Sequence, residues 1–269
     1  MSASRFHYHP VFNYLCWFIL TPAAVVLWQT PMWWLVFLLW PIQAQFRHVL
    51  LTGFHEASHY TLSRFYWLNE LLGILVGVVV FIPLSVYRHL HMYHHSQLAD
   101  EGDYELWPYT VTRYSRTFRV ICAIVELTLG FFFTPLLFLR GVLVDKKIPR
   151  LTGLRMILEY GICTVFWSTL LGVVTWFGWW DTFLAAYLIP SMISGNLQSL
   201  RKFVEHMGLM GKTPMTATRT VVPNRSSGHL LSATLHLVNY HGTHHRFGKL
   251  AYVELAAQTQ RAQKFAAKP

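Results

Sequence analysis

Charged residues are scarce in this chain of 269 residues, where Asp, Glu, Lys and Arg together make up 13%, about half the share in a typical soluble domain. Cysteine is scarce too: Cys16, Cys122 and Cys163 lie far apart and form no CxxC pair. The first shortage argues against a soluble globular protein, because so few charges cannot cover the surface of a chain of this size. The second indicates neither a disulfide framework nor a thiolate metal site.

The chain contains long stretches without any charged residue. Hydrophobic types make up 54% of the chain, and no Lys, Arg, Asp or Glu occurs between residues 6 and 46. A membrane crossing needs about 20 apolar residues, so this region predicts two crossings and a later region predicts two more. The predicted crossings are residues 11–30, 32–52, 156–178 and 182–200. The N-terminal apolar region is too long for a cleavable signal peptide.

Basic residues lie outside the turns that join these pairs of crossings. Lys146, Lys147 and Arg150 precede the second pair, and Arg201 and Lys202 follow it. The positive-inside rule therefore places the N-terminus, the central region and the C-terminal tail in the cytoplasm. The net charge of +10 is then explained by topology and by contact with anionic lipids, so we expect no nucleic-acid partner. The prediction is one multi-pass membrane domain over residues 1–269.

Histidine is abundant, with 15 residues, and most of them are clustered. The clusters are box 1 (HEASH, residues 55–59), box 2 (HMYHH, residues 91–95) and box 3 (HGTHH, residues 241–245). Residues i, i+3 and i+4 share one face of a helix, so each box can present two or three imidazoles to one metal site. His206 follows Glu205 just after the last predicted crossing, and on sequence alone a ligand role and a structural role are equally plausible for it.

The number of imidazoles decides between metal sites. HExxH alone suggests a zinc protease with Glu56 as general base, but one catalytic zinc needs three protein ligands. The boxes and His206 offer nine, which suits two ions with four or five nitrogens each and favours iron over tetrahedral zinc. Glu56 is then a carboxylate that orients a histidine. A metal transporter is disfavoured because it would place histidines within the crossings.

A shared metal centre also constrains the topology, since all the boxes must then lie on one face of the membrane. The single apolar stretch at residues 67–86, between boxes 1 and 2, cannot supply two crossings, so we expect it to lie in the interface or to re-enter. We expect the same of residues 120–139, which basic residues flank at both ends. The predicted fold is an all-α integral membrane protein with about four transmembrane helices, interfacial helices and a cytoplasmic helical cap that holds a di-metal site.

The order and spacing of the three boxes resemble those of the membrane-bound fatty acid desaturase family. Asn239 and Tyr240 before box 3, and the isolated His206, also resemble that family. The resemblance implies two iron ions and the use of O2 as cosubstrate. It implies these ligands: His55, His59, His91, His94, His95, His206, His241, His244 and His245. Neighbouring side chains are candidates for orienting them, namely Glu56, His89, Asp100, Asp103, Glu205, His236 and Asn239.

The resemblance further implies a membrane enzyme that desaturates a fatty acyl or lipid chain, without a catalytic residue beyond the metal ligands. Electrons would come from an external donor of the ferredoxin, rubredoxin or cytochrome b5 type. The location would be a bacterial inner membrane, or the endoplasmic reticulum of a eukaryote. Relatives with the same boxes also include hydroxylases and ketolases of alkyl, sterol or carotenoid substrates, and ligand spacing does not separate these reactions. Phe247-Gly248 follows box 3 where many desaturases have an aromatic residue and Pro.

Overall fold

The computed structural model describes residues 10–209, 211, 213–223, 226, 228, 232 and 237–266. Within these residues every regular element is helical, as the sequence predicts. The helices are α1 (Pro10–Trp28), α2 (Leu35–Ser58), α3 (Tyr66–Val80), α4 (Leu84–Ser96), α5 (Arg116–Val144), α6 (Arg150–Trp176), α7 (Trp180–Phe183), α8 (Ile189–His206), α9 (Pro214–Ala217), α10 (His241–Arg246) and α11 (Tyr252–Ala266). A π-helical turn, Leu184–Leu188, joins α7 to α8.

Two polar turns meet at one end of the helix bundle. The Trp28 indole Nε1 donates to Asp181 Oδ2 over 3.2 Å, and the Gln29 side-chain amide donates to Thr182 Oγ1 over 2.6 Å. These contacts connect the α1–α2 turn to the start of α7, and we call this the distal end. Box 1 ends α2 and His206 ends α8, so the histidines lie at the opposite end, which we call the histidine end.

In the part of the chain that the structure describes, two helices are long and apolar enough to cross a membrane, α5 and α6, and the bent pair α3–α4 would be a third if it counted as one span. Helix α6 includes most of the predicted crossing at residues 156–178. Residues 120–139, expected to lie in the interface, form the middle of the 29-residue α5, which is long and apolar enough to cross a membrane, so their interfacial placement stays a prediction. The polar Gln43, Gln45 and Arg47 interrupt the apolar pattern of α2. Four crossings therefore remain a prediction.

A sharp bend between α3 and α4 brings box 2 back to box 1. The two helix axes differ by 97°, and the turn between them contains Phe81 in the left-handed region at φ 57°. As a result His91 Nε2 lies 3.0 Å from His59 Nε2, although 32 residues separate them. The chain between the boxes therefore leaves the histidine end and returns to it, and its interfacial or re-entrant placement stays a prediction.

Helices α5 and α8 cross at unusually short range through two glycines. A Cβ atom added to Gly195 would lie 2.5 Å from the backbone nitrogen of Phe131, and one added to Gly130 would lie 2.7 Å from the carbonyl oxygen of Gly195. Helix α5 is kinked there, because Leu129 has non-helical angles (φ −126°, ψ 32°). The Gly130 amide donates instead to the Asn196 side chain over 3.1 Å. This crossing forms one wall of the cavity described below.

Candidate metal centre

Four helices supply the box histidines and His206. Box 1 lies at the C-terminus of α2, box 2 in the last turns of α4, His206 at the end of α8, and box 3 forms α10. The i, i+3 and i+4 spacing places the imidazoles of each box on one helical face. Because the four ends converge, the nine side chains meet in one buried region at the histidine end of the bundle.

The nine histidines form two groups. The five-histidine group comprises His55, His59, His91, His95 and His244, and the four-histidine group comprises His94, His206, His241 and His245. Within each group the candidate ligand atoms all lie within 4.8 Å of one another. Boxes 2 and 3 contribute to both groups, and the rings of His95 and His245 stack between them with centroids 4.2 Å apart. The grouping agrees with the expected two ions with four or five nitrogens each.

Short distances between ring nitrogens are the most telling feature of both groups. In the five-histidine group, the Nε2 atom of His244 lies 3.0 Å from that of His55 and 3.1 Å from that of His95. In the four-histidine group, His241 Nε2 lies 2.8 Å from His206 Nε2 and 3.0 Å from His245 Nε2. Within each group, these nitrogens face one another rather than separate hydrogen-bond acceptors.

Carboxylates contact the Nδ1 atoms of some of these histidines, on the side of the ring away from the other imidazoles. These contacts determine whether the Nε2 atom carries a proton or a lone pair. His55 Nδ1 lies 3.2 Å from Glu56, and His94 Nδ1 lies 2.8 Å from Asp103. A neutral imidazole that donates from Nδ1 carries a lone pair at Nε2, and lone pairs packed this closely repel one another unless a cation lies between them. Imidazole nitrogens suit iron, zinc and copper. The donor set therefore fits two transition-metal ions.

The residues predicted to orient the box histidines differ in what they contact in the structure. Glu56 and Asp103 contact box histidines, and Glu205 Oε2 lies 3.5 Å from His241 Nδ1. Asp100 is exposed, and its carboxylate accepts from the Glu101 amide instead. His89 pairs with Asp145 over 2.7 Å, away from both groups.

The remaining candidates lie near box 3. Asn239 donates to Val221 O over 2.6 Å and to Ser232 Oγ over 3.0 Å, so it holds the chain that leads into box 3 rather than a histidine. His236 lies outside the described residues. Sequence reasoning missed Glu105, whose Oε1 lies 2.8 Å from His91 Nδ1. The signal was present, because Glu105 belongs to an acidic segment directly after box 2.

Burial keeps most of these imidazoles neutral. It lowers the pKa of His59 to about 4, with Arg88 adding to the effect, and lowers the pKa of His95 to about 2, with His59 and His94 adding. His94 is the exception: burial opposes its protonation, but Asp103 and Glu105 outweigh burial and raise the pKa of His94 to about 8. Neutral imidazole is the form that binds metal, so the other box histidines are held ready as ligands, and His94 becomes one by releasing its proton when a metal ion binds.

A cavity reaches the histidines from within the bundle. Residues of α2, α4, α5 and α8 line it. Box histidines such as His55 and His91 lie at one side of it, and Phe54 and Phe138 contribute an apolar wall. The ring of Tyr87 also lines it and stacks on His91 with centroids 5.1 Å apart. An elongated apolar molecule in this cavity would therefore contact both histidine groups.

Comparison with known proteins points to one family. A family model described as fatty acid desaturase matches residues 31–269. A bifunctional desaturase/conjugase of Vernicia fordii is 26% identical over 69 residues, which is 24% of this chain and 18% of that protein. An sn-1 acyl-lipid omega-3 desaturase (ferredoxin) of Nostoc sp. (strain 36) is 30% identical over 83 residues, which is 30% of this chain and 23% of that protein.

A third relative is a Delta(12) acyl-lipid conjugase (11E,13E-forming) of Impatiens balsamina, 29% identical over 69 residues, or 26% of this chain and 18% of that protein. The matched segments thus span between 18% and 23% of the length of these three relatives.

Proposed function

This chain belongs to the fatty acid desaturase family, and on that premise we propose that it is a membrane di-iron oxidoreductase. It uses O2 and electrons from an external donor to introduce a double bond into a fatty acyl or lipid chain. The observation that carries the proposal is the pair of histidine groups, within each of which neighbouring Nε2 atoms lie 2.8–3.2 Å apart.

In this proposal the nine histidines hold two iron ions, five nitrogens to one ion and four to the other. When bound, the iron pair supplies the oxidising chemistry that removes hydrogen from an unactivated carbon. Carboxylates of Glu56, Asp103 and Glu105 fix the orientation of three ligand rings through Nδ1. Such contacts also raise the basicity of a ligand imidazole. The histidines come from residues 55 to 245, which supports a single domain.

The chain's own residues bind and align the substrate. The apolar wall that includes Phe54 and Phe138 binds the hydrocarbon and keeps water away from the reacting carbon. Tyr87 holds one face of the His91 ring. A carbon placed beside the histidines is thereby brought to the reactive centre in a defined position, which is the main contribution a protein makes to cofactor chemistry. No protein general base or nucleophile is required.

The protein is proposed to be a multi-pass membrane protein with its histidine end in the cytoplasm. Arg201 and Lys202 lie at that end, while the turns at the distal end carry no Lys or Arg, which agrees with the positive-inside rule. A cytoplasmic histidine end gives access to a soluble electron donor. We propose a donor of the ferredoxin, rubredoxin or cytochrome b5 type, and the Nostoc relative bears the word ferredoxin in its name.

Lipid profiling of cells that express the chain tests this function. Mass spectrometry should find a new double bond that is absent when His94→Ala is expressed. His89→Ala is the matched control, since His89 lies two residues from box 2 but pairs with Asp145 outside both groups. It should keep the activity, and the purified wild-type protein should contain two irons per chain, with fewer in His94→Ala.

Other outcomes have defined meanings. A new hydroxyl or keto group in place of the double bond would retain the di-iron centre and change the reaction to that of a hydroxylase or ketolase. Full turnover by His94→Ala would refute the assignment of His94 as a ligand. One zinc per chain, with activity dependent on Glu56, would replace the proposal with an intramembrane protease.

A further inference from the structure

A buried arginine faces the same cavity from inside the predicted crossing at residues 32–52. Arg47 lies on α2, eight residues before His55, and its side chain is only 3% exposed. Both residues line the cavity. At a rise of about 1.5 Å per residue, their positions on the helix are roughly 12 Å apart. The cavity therefore has a cationic group at one place and the histidine groups at another.

Aromatic rings surround this guanidinium. Its central carbon lies 4.6 Å from the ring centroid of Tyr187, 5.6 Å from that of Phe131 and 5.7 Å from that of Trp17. One of its terminal nitrogens, Nη2, donates to the Tyr187 hydroxyl over 2.9 Å. Cation–π contacts of this kind offset only part of the cost of removing the charge from water.

A carboxylate partner for Arg47 is missing from the described part of the chain, which includes all 12 Asp and Glu residues. No acidic oxygen there lies within 4.0 Å of its guanidinium. Arg88, Arg155 and Arg201, in contrast, each pair with a glutamate. Buried charges are normally paired and hydrogen-bonded, so an oxygen-bearing ligand would complete this site.

Polar side chains of α8 give a second, independent indication. Ser194 is 1% exposed and lines the cavity, and its hydroxyl has no hydrogen-bond partner among the described residues. The same holds for the side-chain oxygen of Gln198, one turn further along α8. A cavity that held only hydrocarbon would leave these buried groups without partners, at a cost in free energy.

We propose that Arg47, with Ser194 on the wall of the same cavity, binds a carboxylate or carbonyl oxygen of the substrate. The proposal rests on the proposed function in taking that substrate to be an acyl chain. Arg47 then acts as a binding residue that determines which carbon reaches the histidines, because the oxygen and the reacting carbon are held a fixed distance apart. The position of the new double bond is accordingly counted from the carbonyl end of the chain.

Equilibrium binding tests this without turnover. Metal-loaded enzyme in detergent, without reductant, is dialysed against radiolabelled palmitic acid, methyl palmitate or hexadecane, which share one hydrocarbon chain. The wild-type protein should bind the acid or the ester at least about tenfold more tightly than hexadecane, the range expected for a charge-assisted hydrogen bond. Preference for the acid over the ester identifies a carboxylate, and equal affinity for both identifies a carbonyl oxygen.

Arg47→Met should bind all three molecules alike, with the affinity for hexadecane retained. Arg140→Met is the matched control: Arg140 also stacks on an aromatic ring, Trp107, at 4.0 Å, but it does not line the cavity. It should keep the wild-type preference. If Arg47→Met does not fold, Arg47→Lys keeps the charge but loses the planar donor fork, and it should show a reduced preference.

Either of two results overturns the proposal: a wild-type protein that does not prefer the acid or ester, or a preference that persists in Arg47→Met. These results are independent of the desaturase assignment. A new double bond in cells without any binding preference would remove the role of Arg47 and keep the function. A clear binding preference without an oxidised lipid in cells would keep the role of Arg47 and remove the proposed function.

Discussion

Replacing Glu105 with Gln removes an ionisable carboxyl group, whose pKa burial raises to about 7, from beside His91 Nδ1 and keeps an oxygen acceptor of the same size. The Glu105 carboxylate lies 2.8 Å from that nitrogen, and its side chain is 15% exposed. His91 belongs to the five-histidine group, so the change should weaken that group and leave the four-histidine group intact. Asp103→Asn is the complementary change, because Asp103 contacts His94 of the four-histidine group.

The expected size follows from the single contact that is weakened. Mutating a residue that orients a metal ligand typically costs roughly 10- to 100-fold in metal affinity, which corresponds to about 1.4–2.8 kcal/mol. Among the described histidines the Glu105 carboxylate contacts only His91, and it acts on His94 through its charge without a contact. The larger effect should therefore fall on the ion held by the five-histidine group. The Gln amide still accepts a hydrogen bond from Nδ1, so the lower part of this range is expected for Glu105→Gln.

The assay is a titration of the iron-loaded protein with a competing chelator, followed by the iron that remains per chain. Glu105→Gln should release one iron at a lower chelator concentration than the wild-type protein and retain the other. Glu101→Gln is the matched control, since Glu101 is exposed and bonds to Thr112. Release of both irons together in Glu105→Gln, or a titration curve identical to the wild type, would refute the division into two separately supported groups.

Three further results are expected. Gly195→Ala should lower the unfolding temperature by overpacking the α5–α8 crossing, at a cost of about 1–3 kcal/mol. Gly161→Ala should not, because a Cβ atom at Gly161 meets nothing within 4 Å. Equal unfolding temperatures of the two variants would contradict the close crossing. Burial raises the pKa of Asp145, but hydrogen bonds from His89 and the Lys147 amide outweigh it and hold this pKa below 3.8. The stability that this depressed pKa contributes is present above pH 3.8 and is lost as the pH falls through the folded-state value. Thermal unfolding should therefore show a larger destabilisation by Asp145→Asn at pH 7 than in acid, and a pH-independent difference would count against the contact. Chelator removal of iron should lower the unfolding temperature, and added ferrous ion should restore it; an unchanged temperature would separate metal binding from folding.

Much of the metal centre was predictable because its signal is local. The spacing within each box places imidazoles on one helical face whatever the rest of the fold does. His206 had no such pattern, and its place beside His241 depends on where α8 ends. Glu105 was missed because its contact with His91 depends on the path of the loop that follows α4, and loop paths do not follow from periodicity.

The membrane topology was less predictable. Apolar length identifies a helix, but it does not tell whether that helix crosses or lies in the interface, and residues 120–139 show the difficulty. The bend after α3 depends on Phe81 adopting a left-handed conformation, which is uncommon for a bulky residue. The role proposed for Arg47 was equally hidden, because its ring partners come from α1, α5 and the π-helical turn.

The order in which the chain is synthesised has a consequence for how its centre is completed. His55 and His244, whose Nε2 atoms lie 3.0 Å apart, are separated by 189 positions, and both histidine groups need residues of box 3. Boxes 1 and 2 emerge from the ribosome long before box 3, so a nascent chain exposes only part of each ligand set. Tight metal binding must therefore wait until box 3 has been synthesised, and a product truncated before box 3 would reach the membrane without a complete centre.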